Sequence, residues 1–91
     1  MDKAAQEDLA VRLYVALREH MEVVEMMTRA ATGIHINSMK LVDWMETDLR
    51  REIGRIGTEP SIYSAEELKV RKAIAEKVVT RIRRDVEANR R

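Results

Sequence analysis

The sequence predicts an all-α fold of three helices, and three observations lead there. Apolar residues recur at three- and four-residue steps over three separate stretches, which is the period of one helical face. Between the stretches stand Gly33 and the segment from Gly57 to Pro60, both helix-ending signals. No stretch of useful length alternates strictly between apolar and polar residues, as a half-buried strand would. One helical domain over residues 1–91 is expected, since a chain of this length lies near the lower size at which a single core suffices.

Helix one is expected over residues 3–32. Leu9, Leu13, Ala16, Leu17, Val24, Met27 and Ala31 share one face, and Ala10, Tyr14 and Met21 widen it to about half the circumference. The polar stripe is Arg12, Arg18, Glu19, Glu22, Glu25 and Arg29, with Glu25 and Arg29 in the favourable acid-before-base order. No Pro or Gly precedes Gly33, which is placed as the left-handed residue that ends the helix. Helix two is expected over 38–56, capped by Asn37, with Ile36 stapled onto Leu41. Its inward stripe is Leu41, Val42, Met45, Leu49, Ile53 and Ile56; Gly54 weakens the last turns and Gly57 ends them. Helix three is expected over 65–89. Ser64 and Glu67 have the spacing of a capping box, Tyr63 can close on Leu68, and Leu68, Ala75, Val78, Val79, Ile82 and Val86 face inward.

Helix one is longer than its partners and apolar over a wider arc, so two shorter helices leave part of it uncovered. A homodimeric bundle built on paired first helices follows as an expectation, with Leu13, Leu17, His20, Met21, Val24 and Met27 at the self-association seam. A monomer whose third helix covers that flank is the alternative.

Composition narrows the function classes. There is no cysteine, which removes disulfides and thiolate metal sites. A hydrophobic share of 45% is too high for a disordered chain. No apolar run approaches a membrane span, and the acidic N-terminus lacks a signal core, so the expected location is cytoplasmic. Charge is uneven. Residues 1–31 hold four basic against six acidic side chains, residues 32–68 four against seven, and residues 69–91 nine against three. An acidic body thus carries a basic last helix.

Four features invite a functional reading. Trp44 lies off the inward stripe of helix two beside Lys40, Arg51 and Arg55, the composition of a partner-binding hot spot. Lys69, Lys72, Lys77, Arg81, Arg83 and Arg84, followed by Arg90 and Arg91, make a basic set suited to backbone phosphates, although Glu76, Asp85 and Glu87 interrupt it. His20 stands within the apolar arc of helix one, where a hydrogen-bonded interface histidine is the simplest account. Arg71 falls inside the apolar arc of helix three, with Glu52 as a candidate carboxylate partner. No metal-ligand spacing, phosphate loop or nucleophile motif is present, so neither an enzyme nor a cofactor is expected. The expected function is a non-catalytic helical protein that self-associates and binds a protein partner, as adaptor, assembly factor or inhibitor. A dimeric DNA- or RNA-binding protein using helix three is the alternative.

Overall fold

The last helix is the one on which the other two are assembled. The computed structural model describes residues 1–89, in which α1 (Lys3–Thr32), α2 (Ser38–Arg55) and α3 (Ala65–Ala88) are the elements. The fold is all-helical, with no strand among the described residues. α3 lies against both α1 and α2, whereas α1 and α2 touch sparingly. Arg90 and Arg91 lie outside the described residues.

Each boundary has a local cause. Asp2 accepts a hydrogen bond from the Ala5 amide at 2.7 Å and so caps α1. Gly33, at φ 72°, ends α1 and donates its N–H to the Arg29 carbonyl at 2.8 Å. Asn37 caps α2 by accepting from the Lys40 amide at 2.9 Å. The chain leaves α2 through extended Ile56 and turns at Gly57, whose φ of 89° favours glycine. Ser64 caps α3 by accepting from the Glu67 amide at 3.2 Å.

The second half of the expected capping box is replaced. The Glu67 carboxylate faces the Met1 ammonium at 3.7 Å and Arg71 at 3.3 Å. The Arg71 guanidinium also stacks over Tyr63, 3.9 Å from the ring centroid, an arrangement that suits its flat, delocalised charge. Glu52, the partner expected for Arg71, instead pairs with Arg55 at 3.6 Å.

The centre of the core is β-branched. Ile82, Val42 and Val79 are completely or almost completely buried; Ile82 and Val42 form one cluster with Met21, Ile36, Leu41, Met45, Ile74, Val78 and Val86. Ile74 joins the core although it falls outside the inward stripe expected of helix three. Among the described residues, α1 contributes one buried side chain, Met21; its Leu9, Leu13, Tyr14, Leu17 and Val24 pack half-buried against the same cluster. Ala16, Met27 and Ala31, assigned to the apolar face of helix one, are exposed.

The connector explains that difference. Ile36 is buried, and His35 Nδ1 lies 2.8 Å from Glu25 Oε1. The chain therefore doubles back along α1 before α2 begins, and the last two turns of α1 overhang the core.

Two polar clamps add orientation to this apolar contact. The Tyr14 hydroxyl donates to Asp85 Oδ2 at 2.6 Å, while Arg81 sits 4.5 Å over the Tyr14 ring and 3.7 Å from the same carboxylate. That bond to Asp85 pushes the Tyr14 hydroxyl above its ordinary pKa. On the other side, Arg83 of α3 binds Asp43 and Glu46 of α2.

The result is open for its size. The radius of gyration is 14.9 Å, against about 12 Å for a compact domain of this length. The accessible surface is 6735 Å², where a folded monomer of this mass exposes about 5,500 Å².

Ile82→Ala is expected to cost about 3 kcal/mol in urea unfolding, because it empties the centre of the core. Ile62→Ala, at a residue 93% exposed, should change stability by less than about 0.5 kcal/mol.

Candidate functional site

With α3 wedged against both partners, the opposite side of the α1–α2 pair stays open. A cleft of about 140 Å³ lies there, lined by His20, Met21 and Val24 from α1 and by Leu41, Trp44, Met45 and Asp48 from α2. Leu41 and Met45 point inward and form its floor. Trp44 stands on the flank of α2 and is 48% exposed, so its ring is a wall of the cleft and does not belong to the core. Lys40, one turn earlier, places Nζ 5.5 Å from the Trp44 ring centroid, within reach of a cation–π contact.

Two sets of residues that the sequence suggested separately thus meet. Trp44 and Lys40 adjoin part of the self-association set, His20, Met21 and Val24. Within that set the chain itself buries Met21 and half-buries Leu13, Leu17 and Val24. His20 and Met27 remain exposed, Met27 by 66%.

Arg51 and Arg55 lie farther along the same flank of α2, each beside an acid. Arg51 is 3.7 Å from Asp48, and Arg55 is 3.6 Å from Glu52 and 3.0 Å from Glu59. These pairs are on the surface, where an ion pair contributes little and yields readily to a competing partner.

Beyond the cleft the apolar surface continues along α1. Val23 is 49% exposed, and Ala16, Ala30 and Ala31 are exposed as well. Val11, Val15 and Met26 are also exposed, but they lie on another flank, interleaved with Glu19, Glu22 and Arg29. Val23 is the residue that sequence reasoning missed. Its four-residue spacing to Met27 and three-residue spacing to His20 was the available signal.

The basic set of α3 is divided by its own ion pairs. Arg83 binds Asp43, Glu46 and, at 3.5 Å, Glu87. Arg81 is held over Tyr14, and Lys69 lies 3.9 Å from Glu66. Lys77 and Arg84 are exposed seven residues apart on one outer face, and Lys72 is half-buried. The Arg83 clamp could not be read from one helix alone, since it needs the register between α2 and α3.

A more polar cleft, about 390 Å³, lies at the N-terminal end of α2 among Arg18, His35, Asn37, Ser38, Val86 and Asn89. Arg18 Nη1 is buried there without a hydrogen-bond partner. Among the described residues no three side chains come together as a metal site, and no helix is long and apolar enough to cross a membrane. Comparison of the chain with family models, with curated proteins and with solved structures found no match.

The Arg83 clamp makes stability depend on pH. The hydrogen bond from Arg83, supported by Arg50, holds the Glu46 carboxyl below its ordinary value of 4.5 against the opposing effect of burial. A carboxyl whose folded pKa is depressed contributes stability above its unfolded pKa and loses it as pH falls through the folded one. Stability should therefore decline as pH drops below 4.5. Glu46→Gln is expected to flatten that decline in urea titrations at successive pH values.

Proposed function

We propose that this chain is a non-catalytic helical protein that self-associates and binds a protein partner, as adaptor, assembly factor or inhibitor. One observation supports the reading above the others: a half-exposed tryptophan walls an apolar cleft on a chain that exposes about a fifth more surface than its mass calls for. Apolar surface left open beside an exposed tryptophan is the kind of feature that marks an interaction site. Tryptophan flanked by cations is the residue environment in which binding energy concentrates.

The nearby charges fit the same role. Lys40 over the ring, and Arg51 and Arg55 in yielding surface pairs, form a polar rim to an apolar centre. Lys77 and Arg84 on the outer face of α3 would speed the approach of an acidic partner without contributing much affinity. The nucleic-acid alternative draws less support from the geometry. Arg83 is engaged by Asp43 and Glu46 of α2, and Arg81, though exposed, is held over Tyr14 and near Asp85, so among the described residues fewer cations of α3 stand free of partners.

The test is capture on the immobilised chain. Trp44→Ala should lose retained protein while the far-ultraviolet helical signal stays unchanged. Loss of that signal, or retention of the same proteins by the variant, contradicts the reading. Retention of a labelled duplex or single strand at about 50 mM salt, abolished by Lys77→Ala with Arg84→Ala, would favour nucleic acid.

A further inference from the structure

We infer that the uncovered seam of α1 is where a second copy of this chain docks. The inference rests on the proposal that the chain self-associates, and it assigns the residues that make the contact.

The seam has the spacing of a coiled-coil face. Leu9, Leu13, Ala16, His20, Val23, Met27 and Ala30 follow one another at alternating four- and three-residue steps, the repeat that keeps one line of side chains facing a neighbouring helix. It runs for three heptads, about 33 Å of helix. No charged residue interrupts it. Leu9 and Leu13, at its start, are half-covered by the chain's own core. Ala16, His20, Val23, Met27 and Ala30 are exposed. Most of the seam therefore has no partner within the chain.

Area selects the occupant. The chain exposes about 1,200 Å² beyond the expectation for a folded monomer of its mass, and a stable protein–protein contact covers about 800 Å² on each side. The exposed part of the α1 seam, with half-exposed Trp44 at its border, belongs to that surface. Charge agrees with a second copy. A seam without charge has nothing with which to select a charged foreign segment, whereas an identical seam is matched to it by construction. His20 is its one polar position. A single polar residue on such a line weakens the pair while holding its register.

The flank carrying Val11, Val15 and Met26 is the internal control. It is exposed to a similar degree, but Glu19, Glu22 and Arg29 interrupt it.

Sedimentation equilibrium of the full chain from about 1 to 100 μM tests the assignment. The wild-type mass should approach twice the chain mass of 10.6 kDa. Val23→Glu with Met27→Glu should return it to that of one chain, with helicity retained. Val11→Glu with Met26→Glu should leave the mass unchanged. His20→Leu removes the polar position without threatening the fold, and should lower the dissociation concentration about tenfold. A single-chain wild-type mass at every concentration would overturn both the proposed self-association and the seam. A wild-type dimer that survives the Val23 and Met27 substitutions, or that His20→Leu leaves no tighter, would overturn the seam alone.

Discussion

A helix can bury only as much of its circumference as its neighbours reach, and α3 reaches one side of α1. That geometric limit organises the molecule. α1 runs 30 residues and α3 runs 24, while the 18 residues of α2 rest chiefly on α3. The apolar arc of α1 spans about half its circumference, so the arc is divided. Ala10, Tyr14, Leu17 and Met21 turn to the core, and His20, Val23 and Met27 are left outside. The most deeply buried side chains, Ile82, Val42 and Val79, all belong to α2 and α3.

Because α1 fully buries one side chain, Met21, and its other core-facing residues are half-buried, directional contacts gain weight in setting where it lies. The Tyr14 hydroxyl on Asp85 fixes its rotation against α3. Arg83, gripping Asp43 and Glu46, does the same for α2. Hydrogen bonds to ionised groups are stronger than neutral ones, yet they act only at short range and in one geometry. They specify how the helices sit, whereas the valines and isoleucines of α2 and α3 supply most of the driving force. The same clamps pair Arg83 with Asp43 and Glu46 and set Arg81 beside Asp85, although Arg81 stays exposed.

The three helices were legible because each carries its own punctuation: Gly33 ends the first, Asn37 opens the second, and Ser64 opens the third. Periodicity marked the inward stripes of α2 and α3 well, since both helices are covered along one face. It failed for α1, where Met27 and Ala31 share the face of Leu13 and Leu17 but lie where the connector has already folded back. Periodicity reports direction around a helix and says nothing about how far along it the neighbours extend. Trp44 illustrates the same limit. Its displacement from the inward stripe was visible, but its place opposite His20 and Val24 depends on how α1 and α2 are spaced across α3. Cross-helix pairs such as Arg83 with Glu46 were hidden for the same reason: inter-helix register is written in no single segment.

The distal half of α1 is uncovered within one chain, and in the proposed pairing it is covered by another. Amide hydrogen exchange along α1, compared between dilute and concentrated protein, measures this directly, because local opening of a helix is suppressed when its exposed face is buried. The account predicts that protection from His20 to Ala31 rises with concentration, while protection from Val78 to Val86 in α3 rises far less. Equal protection of the His20–Ala31 amides at both concentrations would contradict it.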